Sequence, residues 1–462
     1  MSPSFQDQEL EILRKAVDKN QKKIRKKIVS NPDIKRIINI VEKFLVQNKR
    51  ICYGGTAINN ILPIEDQFYD REVDIPDYDF FSPEALKDAK KLADIYLQQG
   101  FEEVTASAGM HPGTFKVFVN FIPVADITQL VPELFKNLQR DALIINQIYY
   151  APPNFLRMLA YLELSRPLGD TSRWEKVLKR INLLNKNYPL KGLDCENINI
   201  QRLYNADHEI DDEEKLIFDI SRKALINQGC VFFGALASKM ILKYLPRYRY
   251  EKIPNVPDFD VLSLNPEKTA IFLKERLEDA GIEKIKIIER KEAGEIIGKH
   301  YEVVVGKETI VFIFKPLGCL SYNVIKSGPR KIRIATIDTL LNLYLAFLYT
   351  DRPYFDDKRI LCISEYMFKV QQKNRLKQKG LLQRFNIDCY GTQKTVSDLR
   401  SDKSKKYNEL KNKRGSSEWE KYFLRYNPYR NKNTRKKKRK PKRKNTRRKG
   451  KNIFGIKNIF GI

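Results

Sequence analysis

The sequence predicts an α+β protein: two tandem α/β domains, each a mixed sheet with helices, between an N-terminal helical arm and a disordered basic C-terminal tail. Three observations lead there. Two segments read alike at an offset of 180 residues, helical and strand-like stretches alternate within each, and a run of cations fills residues 430–451.

The arm is residues 1–33, ahead of the repeat. The first copy reads IINIVEKFLVQNKRICYGGTAIN and the second IFDISRKALINQGCVFFGALASK, so Gly54 aligns with Gly234. Each copy opens with an amphipathic helix (33–48; 212–227), then a short apolar strand (51–53; 231–233), a glycine turn and a second helix. Pro76-Asp77-Tyr78-Asp79 matches Pro257-Asp258-Phe259-Asp260. Ser82-Pro83 and Asn265-Pro266 each read as a helix N-cap with proline at the first helical position, and Gly100 and Gly281 as the matching C-caps. Strand-like runs follow at 114–121 and 309–314, leading to Pro123 and Pro316. A helix ending in Arg-Pro closes each copy (Arg166-Pro167; Arg352-Pro353). The expected divisions are therefore a first domain at 34–190, a linker at 191–211, a second domain at 212–385, a basic and aromatic segment at 386–429 and a tail at 430–462.

Lys and Arg number 86 against 57 Asp and Glu, a formal net charge of +29. Residues 430–451 hold 15 of those cations and no acid, and the rest still carries +14. A body that basic favours a polyanionic partner such as nucleic acid, and the tail is expected to contact it. No apolar run approaches the roughly 20 residues that span a bilayer, and the first ten residues, with Asp7 and Glu9, have no signal-peptide character. Cys52, Cys195, Cys230, Cys319, Cys362 and Cys389 are scattered with no CxxC pair, so reduced thiols in an intracellular protein are expected and no zinc site.

The chemistry concentrates in the first copy. Asp77-Tyr78-Asp79 runs into Phe80 and Phe81, which predicts a strand with both carboxylates on one face. Two adjacent carboxylates repel each other, and a divalent cation with oxygen ligands, Mg²⁺ above all, relieves that. Asp126 follows the apolar run 118–125. If that run lies beside the first strand, three carboxylates converge, enough for two metals and in-line phosphoryl transfer. Tyr53-Gly54-Gly55-Thr56 lies between a strand and a helix, where amides, the helix dipole and the Thr56 hydroxyl can meet a triphosphate. No Gly-Lys-Ser/Thr follows, so it is not a Walker A loop. Gly-Gly alone is an ordinary tight turn and a lone DxD an ordinary solvated loop; their joint order carries the weight.

That order resembles the polymerase-β-like nucleotidyltransferase superfamily, with its Gly-Gly/Ser, two acids one residue apart and a third acid. The nearer resemblance is to the poly(A) polymerase catalytic subunits of large DNA viruses, poxvirus-type and giant-virus, in YGGTAIN, DIPDYDFFS and LELSRPLGDTSRWEKV; it extends over roughly residues 34–370. The resemblance implies two nucleotidyltransferase-like domains, the second degenerate. It implies template-independent transfer of AMP from ATP to an RNA 3′-end with release of pyrophosphate. Asp77, Asp79 and Asp126 would hold two Mg²⁺ (or Mn²⁺) ions, and Gly54, Gly55 and Thr56 the β- and γ-phosphates. Host cytoplasm at the virus factory, with packaging in the virion, would be the setting. Alternatives are a CCA-adding, uridylyl or oligoadenylate-forming transferase, or a non-catalytic RNA-binding subunit. The spacing of 23 residues from Gly54 to Asp77 exceeds the superfamily's usual gap; 62–73 is the expected insertion.

The second copy keeps Asp258 and Asp260 but has Gly234-Ala235, and aligning Pro316 with Pro123 sets Cys319 where Asp126 stands, so it is expected to be inactive. Arg157 and Arg166 are the leading candidates for the incoming triphosphate, with Arg173, Lys176 and Lys116 behind them. Aromatic and basic residues alternate from Trp419 to Arg430 and fit either base stacking or packing on the body. Oligomeric state stays open, with a homodimer that extends an RNA channel as one option. The closing KNIFGI duplication has no physical account.

Overall fold

A computed structural model describes residues 4–196, 198, 211–246, 258–352 and 354–430. The tail beyond Arg430, its KNIFGI repeats and most of the expected linker lie outside the described residues. The helices are α1 (Phe5–Val29), α2 (Pro32–Asn48), α3 (Gly54–Ile61), α4 (Ala85–Gln98), α5 (Pro132–Arg140), α6 (Pro153–Leu164), α7 (Trp174–Asn187), α8 (Asp212–Asn227), α9 (Gly234–Leu242), α10 (Pro266–Glu278), α11 (Ile337–Phe347), α12 (Asp357–Lys373), α13 (Val396–Leu410) and α14 (Ser417–Phe423). None of them is long and apolar enough to cross a membrane.

Two mixed sheets organise the chain. The first uses β1 (Ile51–Tyr53), β2 (Tyr78–Ser82), β3 (Val104–Ala108), β4 (Thr114–Val119), β5 (Ile122–Gln129), β6 (Leu143–Ile145) and β7 (Ile148–Tyr150) in the order β3-β4-β5-β2-β1-β7-β6. The second uses β8 (Val231–Phe233), β9 (Phe259–Leu262), β10 (Ile285–Arg290), β11 (His300–Val305), β12 (Glu308–Phe314), β13 (Leu320–Ser327) and β14 (Arg330–Ala335) in the order β10-β11-β12-β9-β8-β14-β13. Taken strand for strand the two orders coincide, and so do the directions. β2 with β5 and β9 with β12 are parallel; β1 with β7 and β8 with β14 are parallel; every other neighbouring pair in these runs is antiparallel.

This topology corrects one strand equivalence. The run 114–121 is not one strand. It is β4 and a turn at Asn120 and Phe121; β5 follows and contains Asp126 in its middle, where the sequence put Asp126 after the end of a run. Asn120 and Phe121 take the left-handed conformation without a glycine, so the sequence hides the turn. The partner of β5 is therefore β12, and Asp260 pairs with Phe312 as Asp79 pairs with Asp126. Phe312, not Cys319, stands where Asp126 stands.

The segment after α12 returns to both sheets. β15 (Cys389–Tyr390) adds to β13 at one edge of the second, and β16 (Arg425–Tyr426) adds to β3 at one edge of the first. Between the halves, α6 packs on α11. Asn342 donates to the Met158 carbonyl (3.2 Å), Tyr161 to Gln371 Oε1 (3.2 Å), and the Phe155 and Tyr349 rings meet edge to face at 5.1 Å. The expected reduced thiols are overturned for four cysteines. Cys195–Cys362 and Cys319–Cys389 are disulfides, while Cys52 and Cys230 are free and buried. Partners 167 and 70 residues apart give no local spacing signal; the fold brings their Cα atoms to 5.3 and 5.1 Å.

Candidate active site

The expected carboxylates meet on one face of the first sheet. Asp79 in β2 and Asp126 in β5 are direct partners on adjacent parallel strands, and Asp77 enters β2 two residues before Asp79. Burial raises the Asp79 pKa to about 7, helped by the negative charges of Asp77 and Asp126 and opposed by Lys116 and Arg173. Asp77 is raised by burial and by Asp126. Lys116 on β4, the cross-strand neighbour of Asp126, donates to Asp126 Oδ2. Asp126 Oδ1 is buried with no hydrogen-bond partner among the described residues. The acids share a face without being gathered into a ready-made cage: among the described residues no three His, Cys, Asp or Glu side chains form one.

These features fit a divalent cation. The donors are all carboxylate oxygens, as Mg²⁺ or Mn²⁺ prefers; one buried oxygen lacks a partner among the described residues; and burial first, then mutual repulsion, pushes Asp77 and Asp79 towards neutrality.

The glycine turn sits against the same acids. β1 leads directly into α3, and Gly54 has φ +74. A Cβ there would lie 2.4 Å from Asp79 Oδ2, so only glycine lets the strand carboxylate lean on the turn. A Cβ on Gly55 would lie 2.5 Å from Arg180 Nη2 and 2.7 Å from the Tyr69 hydroxyl. Among the described residues no side chain caps the N-terminus of α3, leaving its first amides for another acceptor. The buried Thr56 hydroxyl donates to the Asp77 carbonyl at 2.7 Å, so it holds the loop that presents Asp77.

Arg157 is also corrected. It is 0% exposed and spends its guanidinium inside its own half, donating to Asn185 Oδ1 at 2.8 Å, Asn154 Oδ1 and the Tyr188 carbonyl. Arg166 lies in the seam between the halves. Its Nε is buried and has no hydrogen-bond partner among the described residues, next to Gly318 of the second half. The cation beside the turn is Arg180, which the sequence reading passed over. Its guanidinium donates to the Tyr69 hydroxyl (2.8 Å) and lies 5.1 Å from the Phe68 ring centre. Arg173, the N-cap of α7, and Lys176 and Arg180 within it follow at i, i+3 and i+7 and lie along one side of the helix. The Lys176 ammonium is held down by Arg180 first, then by burial and Arg173, the mark of crowded positive charge. That i, i+3, i+7 spacing was the available signal. The insertion supplies Phe68 and Tyr69, whose amides both donate to Asn59 Oδ1 at 2.8 Å.

The corresponding place in the second half is built otherwise. Asp260 leans on Gly234, where a Cβ would lie 1.9 Å from its Oδ2. Phe312 replaces Asp126, and Glu302 replaces Lys116 as the β11 partner, held by Arg290 at 2.7 Å. Phe347 and Phe355 stack at 4.1 Å and line the small cavity beside Asp258 and Asp260.

The chain is similar in sequence and in fold to viral proteins. Residues 39–170 match the family model described as the poly(A) polymerase catalytic subunit. A protein of African swine fever virus (isolate Tick/Malawi/Lil 20-1/1983), assigned as a poly(A) polymerase catalytic subunit, is 31% identical over 180 residues, which is 38% of each chain. A protein of Acanthamoeba polyphaga mimivirus, assigned likewise, is 31% identical over 163 residues, 34% of this chain and 27% of that one. The matches thus span well under half the length of these relatives. The crystal structure of the Megavirus polyadenylate synthase superposes with a TM-score of 0.75 at 20% identity, over 95% of this chain and 92% of that one, so the fold is shared along nearly the whole length.

Proposed function

We propose that the chain is a template-independent poly(A) polymerase that adds AMP from ATP to RNA 3′-ends, working from a nucleotidyltransferase domain in its first half beside a degenerate copy in its second. The similarity over residues 39–170 to viral poly(A) polymerase catalytic subunits supports the activity. The observation that carries it is the register pairing of Asp79 with Asp126, with Asp77 two residues away and the Gly54-Gly55 turn against Asp79.

Asp77, Asp79 and Asp126 would hold two divalent ions, Mg²⁺ or Mn²⁺, which when bound supply charge neutralisation for the reacting phosphate and acidify the primer hydroxyl. The free amides at the start of α3, with Arg173, Lys176 and Arg180, bind and orient the polyphosphate. Lys116 balances the Asp126 charge from the neighbouring strand. The primer 3′-hydroxyl gives up its proton to solvent, its oxygen bonds to the α-phosphorus, the α–β phosphoanhydride breaks, and pyrophosphate leaves with the bonding electrons. RNA and ATP are then the partners. In the second half the third carboxylate is missing, which supports a structural or RNA-holding role there.

The test is primer extension with each of the four ribonucleoside triphosphates, with Mg²⁺ or Mn²⁺. Incorporation of ATP well above the other three is expected. Preference for UTP or CTP, or no metal-dependent incorporation at all, contradicts the reading.

A further inference from the structure

A straight row of side chains crosses the first sheet. The pairing register aligns Arg425 with Ser107, Ser107 with Lys116, Lys116 with Asp126, and Asp126 with Asp79. Direct register partners project from the same face, so Arg425 stands three strand spacings, roughly 14 Å, from Asp126 on the same surface. That face is open: Thr105 and Arg425 are exposed, and Ser107, Thr114, Lys116 and Phe118 are half-buried, while Phe115, Val117 and Val119 fill the opposite face. Lys403 on α13 lies close enough to Arg425 for that charge, after burial, to depress its ammonium.

The turn between β4 and β5 adds an unexplained feature. Val119 pairs with Ile122, leaving Asn120 and Phe121 as a two-residue turn with φ +49 and +64. Glycine suits the second of these positions; a phenylalanine there costs about 1 kcal/mol. Packing offers no compensation, because Phe121 is 83% exposed. It projects from the sheet end that carries Asp77, with Phe118 on the open face and Tyr429, 49% exposed, just past the edge strand. A strained, solvent-facing aromatic suits base stacking, while Lys116 and Arg425 further along the same sheet suit a backbone.

We infer that this open face, from Asp126 to the edge strand β16, is a platform for single-stranded RNA, with Lys116 and Arg425 on its phosphates and Phe118 and Phe121 against its bases. The inference deepens the proposed transferase and rests on it for the identity of the strand as primer. It gives the returning C-terminal segment a role, since β16 brings Arg425 to the sheet. Continuity with the carboxylates and the positive charge of the face select RNA as occupant over a second copy of this basic chain.

The test is fluorescence anisotropy of a short labelled oligoribonucleotide with the full chain, without ATP or metal. Arg425→Ala and Phe121→Gly should each weaken binding about five- to thirtyfold. Arg425→Ala should also reduce the salt slope by about 0.7. Phe121→Gly relieves the backbone, so its melting temperature should hold or rise while affinity falls; a merely structural Phe121 cannot give that split. Phe121→Tyr should bind as the parent does. Unchanged RNA affinity in both Arg425→Ala and Phe121→Gly overturns the platform, as does a Phe121→Gly change confined to self-association in light scattering. Should the parent bind RNA through these residues yet incorporate no nucleotide, the transferase reading falls and the platform stands.

Discussion

Asp79 and Asp260 occupy the same register position in two sheets of one strand order, and each leans on a glycine that opens a helix. Their surroundings then diverge. Asp79 faces a second carboxylate across the strand, Asp260 faces a phenylalanine, and the lysine beside the first has become a glutamate tied to Arg290 beside the second. One strand order thus accommodates either an acid or an aromatic at the same register position. With the third charge gone, the repulsion that demands a cation eases, and Phe347 and Phe355 can close over the remainder.

The comparison breaks most visibly at its acids. Asp77→Ala should lower nucleotide incorporation by a thousandfold or more, on the order of several kcal/mol of lost transition-state stabilisation, whereas Asp258→Ala should stay within about twofold of the parent. Similar losses from both variants in the primer-extension assay would mean that the second half shares the work.

Arginines on neighbouring helices sharpen it further. Arg180→Ala should raise the KM for ATP about tenfold with a smaller effect on kcat, because one charge-assisted contact to phosphate is removed. Arg157→Ala should instead cost about 3 kcal/mol of stability, leaving its buried partners unsatisfied, with the KM for ATP unchanged. Steady-state kinetics beside thermal melts distinguishes the two; an Arg157→Ala protein of normal stability and raised KM would return Arg157 to the nucleotide.

A smaller effect belongs to the second half alone. His300 is buried, stacked on Phe314 at 4.4 Å and hydrogen-bonded with the Tyr354 hydroxyl at 3.0 Å, and burial lowers its pKa to about 4. The ordinary value is about 6.5, so the unfolded chain takes up this proton first. The stability contribution of the neutral ring is complete above pH 6.5 and is lost as pH falls towards 4, about 2 kcal/mol of it by pH 5. Melts at pH 7 and 5 should show this loss in the parent and much less of it in His300→Gln.

Much of the scaffold was legible because local signals were strong. Helix 212–227 and strands 51–53 and 231–233 fall where the apolar periodicity puts them, the helix start being fixed by Asp211 and Glu214, which cap each other. The turn at Asn120 and Phe121 was not legible, since its left-handed residues are not glycine, and that one hidden turn moved the inferred replacement of Asp126 from Phe312 to Cys319. Arg157 and Arg180 look alike in sequence; only the fold decides that one is sealed among carbonyls and the other reaches a glycine turn. The disulfide pairs are long-range and leave no periodic trace. The carboxylates were legible because an acid-aromatic-acid run into a strand constrains its own geometry.

The first half, with three carboxylates on one face, should hold divalent cations, and the second should not. Mn²⁺ titration of the full chain by calorimetry tests this without reference to catalysis. Binding that Asp126→Asn removes or weakens at least tenfold and that Asp260→Asn leaves intact is expected. Binding insensitive to Asp126→Asn, or lost equally in both variants, would contradict it.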